Sequence, residues 1–292
     1  MIVSALATAV AWLPRGSAAW LGRRLGDLAF VVVVPRRRVA LANLERALPD
    51  VAVSERRRIC RASFQHLGLM FVELCAALSR PLKHTLEGIT VDGLHHLRSA
   101  VATHGNALVL TAHLGNWELL AVAHQLGGVP FSVVVRPLDA SWLDAVADRL
   151  RRKTGIELID KRGALRPVLG ALQRGRLVGI LMDQNAARRE GIFVSFFGRP
   201  ASTSKSIAVL ALRTGTPVVP IFIYREDLGR HRVVIHPALP VDALADDEDA
   251  VAALTQRCTT TIETAIGAAP EQWLWLHNRW RTRPPSESRI AP

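Results

Sequence analysis

Residues 107–127 read ALVLTAHLGNWELLAVAHQLG. The opening ALVLTA is a short apolar run with no polar alternation, the pattern of a strand buried on both faces. WELLAVAHQLG then carries apolar residues at helical spacing and stops at glycine. Between them the chain passes from strand to helix through a turn that holds His113, with Glu118 just inside the helix. On one continuous helix, residues five apart would stand about 140° from each other and could not meet. A loop histidine can: Asn116 is the candidate cap, Glu118 falls in the first turn, where the helix dipole favours a carboxylate, and Gly115 lets the backbone fold His113 back toward it. A carboxylate on one imidazole nitrogen fixes the tautomer and leaves the other nitrogen basic, which makes an oriented general base. For His113 taken alone, a hydrogen-bonded structural histidine is the competing reading.

Downstream the alternation continues. FSVVV, IELID, RLVGILMD, PVVPIFIY and HRVVIHPAL read as strands; SWLDAVADRLRRKTG, LRPVLGALQRG, SKSIAVLALRTG and residues 247–267 read as helices. This predicts an α/β fold, with a mixed, mainly parallel central sheet flanked by helices. Three of the strands end on a charged or titratable residue, His113, Arg136 and Asp183. Open α/β sheets bind ligands beyond the carboxyl ends of their strands, so these three are expected to converge.

Upstream, residues 35–85 form an arginine-rich helical lead-in. RRRVALANLERALPD ends around Pro49, and SERRRICRASFQHLGLMFVELCAAL opens on Ser54 as a candidate N-cap, with Phe64, Leu67, Phe71, Leu74 and Leu78 as a core-facing stripe. Within residues 1–34, IVSALATAVAWL is shorter than the roughly 20 residues a spanning helix needs. AAWLGRRLGDLAFVVVV carries Arg23, Arg24 and Asp27 and runs into PRRR, a pattern suited to lying in a headgroup layer. No basic stretch precedes the first apolar run, which argues against a secretory signal. A membrane-associating helical segment is the expectation for 1–34, beside a buried helical hairpin or a single tilted span; residues 35–292 form the α/β domain.

Lysine and arginine total 37 against 25 acids, a formal charge of +12 that favours anionic partners: phospholipid headgroups, phosphorylated substrates or nucleic acid. The clusters RRR at 36–38 and 56–58 and RLRRK at 149–153 lie in helical patterns without a nucleic-acid motif, so no specific nucleic-acid partner is expected. A non-catalytic basic module for membranes or nucleic acid is the competing class. The cysteines, Cys60, Cys75 and Cys258, have neither metal-ligand nor disulfide-framework spacing, which points to buried thiols and no metal. With no G-x-S-x-G elbow, a His113 base would act directly on an acceptor hydroxyl.

HLGNWEL occurs together with VVRP at 134–137, MDQN at 182–185, VSFFGRPA at 194–201 and PEQWLWLHNRWRTRP at 270–284. In this order, across nearly the whole chain, these segments resemble the bacterial lipid A late acyltransferases, the lauroyl and myristoyl transferase family. That family lies within the lysophospholipid and glycerol-phosphate acyltransferase superfamily, whose signature is a histidine, four residues, then an acid. Many members carry aspartate where Glu118 stands. The resemblance implies transfer of a fatty acyl chain from acyl carrier protein to a hydroxyl of a lipid A precursor at the cytoplasmic face of the bacterial inner membrane. His113 would be the general base and Glu118 its orienting partner. Arg136 would contact anionic substrate or the oxyanion, and Asp183 would serve the electrostatics of the substrate site.

VSFFGRPASTSK offers apolar residues for an acyl chain beside Arg199 and Lys205 as candidate substrate contacts, with Phe193, Phe196 and Phe197 lining a groove or simply filling the core. Arg279, Arg281 and Arg283 would meet glycolipid phosphates or an acidic carrier protein by charge-assisted bonds. Trp273, Trp275 and Trp280 serve equally well as core. The chemistry needs no cofactor or metal beyond a carrier-protein or CoA thioester as donor, because a thioester is already activated and the enzyme must mainly align it, take a proton and stabilise an oxyanion. Backbone amides near Gly115 and the Arg136 guanidinium are the candidate oxyanion donors. Another glycolipid, such as a phosphatidylinositol mannoside, or an aminolipid, acylated from acyl-CoA, is the alternative.

Overall fold

A computed structural model describes residues 2–135, 141–241 and 247–284, with the backbone alone at 2–6 and 141–147. The chain opens with α1 (Ile2–Ala11), α2 (Arg15–Val32), α3 (Val34–Ala47) and α4 (Val53–Ser79). Helices α2 and α4 touch backbone to backbone. A Cβ on Gly68 would fall 2.0 Å from the Gly22 carbonyl oxygen, and one on Gly26 2.4 Å from that of Phe64, so only glycine permits the approach. Val10 and Ala18 complete this contact with Val72 and Cys75 of α4.

The opposite side of this hairpin leaves Trp12, Trp20, Leu28, Val31 and Val32 more than half exposed. The first 34 residues thus form helices packed against α4 that leave these apolar side chains exposed. Among the described residues α4 is the one helix long and apolar enough to cross a bilayer, but most of its apolar stretch is buried. It begins one residue before Ser54, after Ala52, and no side chain caps it.

After the short α5 (Leu82–Leu86) come β1 (Ile89–Asp92), α6 (Leu94–His104) and β2 (Ala107–Thr111). The turn of interest follows, then α7 (Leu120–Gly127), β3 (Phe131–Val135), α8 (Ser141–Thr154), β4 (Glu157–Asp160), α9 (Leu165–Gln173) and β5 (Leu177–Leu181). A hairpin of β6 (Gly191–Phe196) and β7 (Arg199–Ser204) precedes α10 (Ser206–Thr214), β8 (Val218–Asp227), β9 (Arg230–Ile235) and α11 (Glu248–Ala268).

The main sheet runs β1-β9-β8-β2-β5-β3-β4. All its pairings are parallel except β8 with β9, so the mixed, mainly parallel sheet is as the alternation predicts. Strand β2 lies between β5 and β8 and is buried throughout, which explains its unbroken apolar run. Leu108 and Leu110 join Val178 and Ile180 in one core layer, covered by α9, α10 and α11; Ala107 and Val109 face the other, covered by α6, α7 and α8. The aromatic tail closes the first layer: Trp273, Trp275 and Trp280 are buried, Trp273 and Trp280 against Phe196 and Trp275 against Phe197 and Trp273.

Candidate active site

His113 stands just past the end of β2, and Asp183 just past the end of neighbouring β5. The His113 Nδ1–H donates to Asp183 Oδ1 at 2.9 Å, and the His113 backbone N–H donates to Oδ2 at 3.0 Å. The Trp273 indole N–H donates to the same Oδ2 at 2.7 Å. Burial alone would push the Asp183 carboxyl up, but His113 and Trp273 hold it down at about 2. The fixed carboxylate assigns the proton to Nδ1, so the partly exposed ring turns a bare Nε2 lone pair outward. There the Gln184 amide donates to it at 3.2 Å, and Trp117 meets the ring edge-on, centroids 5.1 Å apart. His113 and Asp183 thus converge as the strand ends predict; Arg136, the third residue expected there, lies outside the described residues.

Glu118 does something other than expected. Its two oxygens accept from Arg151 Nη2 at 2.7 Å and Nε at 3.0 Å, a bidentate pair that is almost fully buried. Arg151 comes from α8, where buried Leu150 and Thr154 flank it. Burial pulls its pKa down, and Glu118 and Asp148 more than offset this, leaving it raised. The carboxylate that orients His113 is therefore Asp183, and Glu118 ties the turn to α8. The physical reason is the turn itself: residues 117–119 form a single 3-10 turn before α7, which places Glu118 against α8.

Asn116 does not cap that turn with its side chain. Its amide instead donates to Glu73 Oε2 at 2.8 Å, deep beneath the loop. Glu73 also accepts two bonds from Arg225, at 2.8 and 2.6 Å, and pairs with His231 at 3.2 Å. His66, held down to about 3 by burial and then by neighbouring Arg225, contacts both that guanidinium and the Gly115 carbonyl. Gly115 has φ +61°, and a Cβ there would sit 1.8 Å from the Ile223 carbonyl oxygen. Its N–H donates to the Gln272 carbonyl at 3.0 Å, which removes that amide from the candidate oxyanion donors.

The remaining expected contacts separate. Arg279 is fully buried: it donates to the Ser202 carbonyl at 2.7 Å and the Thr203 hydroxyl, and lies 4.7 Å over the Phe196 ring. Burial pulls it down to about 10, and it clamps the β6–β7 hairpin to the tail where a phosphate contact was expected. Arg199 is exposed and donates to the Arg46 carbonyl at 3.1 Å. Lys205 directly precedes α10 and shares no hydrogen bond with His113 or its partners. Arg281 is exposed on the rim of a groove beside α3.

Gln184, Arg151 and the Asp183–Trp273 bond were not anticipated as site contacts. Gln184 and Trp273 sit in segments that the resemblance marked, whereas nothing in RLRRK distinguishes Arg151 from Arg149 or Arg152. Among the described residues no cluster of three or more metal-ligating side chains occurs. The three cysteines are buried, and burial pushes Cys60 and Cys75 up to about 11 and Cys258 to about 12.

Residues 1–282 match the family described as bacterial lipid A biosynthesis acyltransferase. The chain is 29% identical over 282 residues to the lipid A biosynthesis palmitoleoyltransferase of Escherichia coli K12, covering 95% of this chain and 89% of that one. It is 29% identical over 266 residues to the lipid A biosynthesis lauroyltransferase of the same organism, covering 90% and 85%. It is also similar to the phosphatidylinositol mannoside acyltransferase of Mycobacterium tuberculosis H37Rv, 31% identical over 246 residues, 82% of this chain and 75% of that one.

Proposed function

The chain belongs to the family of bacterial lipid A biosynthesis acyltransferases, and from that membership we propose that it moves a fatty acyl chain from acyl carrier protein to a hydroxyl of a lipid A precursor. The observation that carries the mechanism is the His113–Asp183 pair, with Nδ1 bound to the carboxylate and Nε2 facing outward onto Gln184. The acceptor hydroxyl displaces the Gln184 amide and donates to Nε2. As its proton passes to the imidazole, the oxygen attacks the thioester carbonyl, and Asp183 stabilises the imidazolium that forms. The tetrahedral oxyanion collapses, the C–S bond breaks, and the thiolate takes the proton back from Nε2. Glu118 contributes by holding Arg151, which ties the turn after β2 to α8.

Exposed Trp12 and, on α2, exposed Trp20, Leu28, Val31 and Val32, followed by exposed Arg36 and Arg38, support a seat on the cytoplasmic face of the inner membrane. Transfer to a phosphatidylinositol mannoside from acyl-CoA is the second reading, favoured by the 31% identity to the mycobacterial enzyme.

The test is acyl transfer from labelled acyl carrier protein to a tetraacylated lipid A precursor in detergent micelles. Native protein should transfer, and folded His113→Ala should lose roughly 10²-fold or more in kcat. Full activity in His113→Ala would reject the base. Native activity only with acyl-CoA and a mannolipid would select the second reading.

A further inference from the structure

A groove of about 360 Å³ lies between α3 and the C-terminal tail. Helix α3 supplies Arg38, Asn43 and Arg46 to it, and the tail supplies Trp280, Arg281 and Arg283. Among the described residues Arg38, Arg46 and Arg281 form no ion pair, although the protein pairs many of its other arginines with carboxylates. Burial first, then the charges of Arg283 and Arg199, hold Arg46 below the usual guanidinium range.

Two buried polar atoms of groove-lining residues also lack partners: the Trp280 indole N–H, a donor, and Asn43 Oδ1, an acceptor. Buried polar groups are almost always satisfied, so an unpaired donor and acceptor beside concentrated positive charge point to a ligand.

The tail segment that lines the groove is tied to the strand end that carries the base's partners. Thr282, between Arg281 and Arg283, is hydrogen-bonded twice to Asn185, at 3.0 and 3.1 Å. Asn185 directly follows Gln184, whose amide caps His113 Nε2. A headgroup seated in the groove would thus rest on the segment bonded to Asn185, next in the chain to Gln184.

We infer that this groove binds a phosphorylated sugar of the acceptor lipid, the arginines and the Trp280 N–H taking the phosphate and Asn43 Oδ1 taking a sugar hydroxyl. The inference deepens the acyl-acceptor reading above and rests on it. Phosphate fits arginine forks bidentately, and a sugar hydroxyl supplies the donor that phosphate alone lacks.

The experiment compares native protein with Arg38→Ala, Arg281→Ala and the double variant, using a tetraacylated disaccharide bisphosphate lipid and its phosphatase-treated counterpart as acceptors. Both arginines are exposed, so the variants should melt with the native protein. For the phosphorylated acceptor, KM should rise about tenfold or more in the double variant while kcat is kept, and for the dephosphorylated acceptor it should not change. Equal rises for both acceptors, or none, would overturn the assignment. A rise confined to KM for acyl carrier protein would overturn it too, giving the groove to the donor.

Binding of the same two lipids in phosphatidylcholine micelles, read without turnover, separates the two layers of the argument. Native protein that transfers no acyl chain, yet binds the phosphorylated lipid at least tenfold more tightly than the double variant does, would sink the reaction and keep the groove. Equal binding by both proteins would sink the groove.

Discussion

His113 and Asp183 stand two residues beyond a paired rung of the sheet, Thr111 with Leu181, and meet through two hydrogen bonds. The parallel register of β2 and β5 thus carries both residues the same distance past the strand ends, and the sheet itself sets their separation. Asp183 accepts three N–H donors, counting Trp273.

Asp183→Asn leaves one acceptor oxygen for those three donors and brings two N–H groups of its own into the cluster. The imidazole should then lose its tautomer and orientation. The expected result is a fall in kcat of about 10² to 10⁴ with a small change in KM, measured by steady-state acyl transfer alongside a thermal melt. Retention of more than about a tenth of native kcat would show that Asp183 does not orient the base.

Glu118 should behave differently from His113 in stability. Removing its carboxylate strands the buried Arg151 charge, so Glu118→Ala should cost about 3 to 5 kcal/mol, read from urea unfolding in detergent. Pairing Glu118→Gln with Arg151→Met should recover much of the loss, because neither charge then remains buried alone. His113→Ala, at the open end of the site, should cost less than about 1 kcal/mol. Equal costs for Glu118→Ala and His113→Ala would contradict the assignment of Glu118 to Arg151.

At Gly115 any side chain meets the Ile223 carbonyl, with the backbone already in the left-handed region. Gly115→Ala must shift the turn that carries His113. A displacement of about 1 Å at a catalytic group can cost 10²-fold in rate. Such a loss of kcat is expected, together with at least about 2 kcal/mol of stability. A variant with native rate and native unfolding midpoint would show that the turn absorbs the side chain elsewhere.

The α/β order, the buried β2 and the placing of His113 and Asp183 past strand ends were legible because apolar runs and helical spacing are local properties of the chain. Which carboxylate faces His113 was not legible. Glu118 is five residues away in sequence and Asp183 seventy, and the pairing follows from β5 lying beside β2, a fact of strand order that no local pattern encodes. Arg279 was misread for a related reason: it resembles its neighbours Arg281 and Arg283 in sequence, and only the hairpin folded over it makes it a buried clamp. Asn116 was read as a cap because its only visible neighbours were those along the chain, and its partner Glu73 arrives from α4.

Acid should weaken the fold before its carboxylates titrate. Burial is the main cause that holds His66 down to about 3 and His277 to about 4, so both are neutral in the folded protein. Unfolded, each titrates near 6.5. Between those values the unfolded chain binds more protons than the folded one, so stability rises with pH. It is complete above about 6.5 and declines below, by up to about 1.4 kcal/mol per pH unit for each histidine. Asp183, held at about 2, adds its own loss only as pH falls below about 4. The urea midpoint should therefore drop steadily from pH 7 to pH 5. His277 Nε2 accepts the Asn185 N–H at 3.0 Å, a bond that a glutamine carbonyl can also accept without titrating. His277→Gln should flatten part of that slope while lowering stability at pH 7.5 only modestly. A midpoint independent of pH between 6.5 and 5 in the native protein would mean that these histidines titrate alike in both states, and the neutral, buried reading of both would fail.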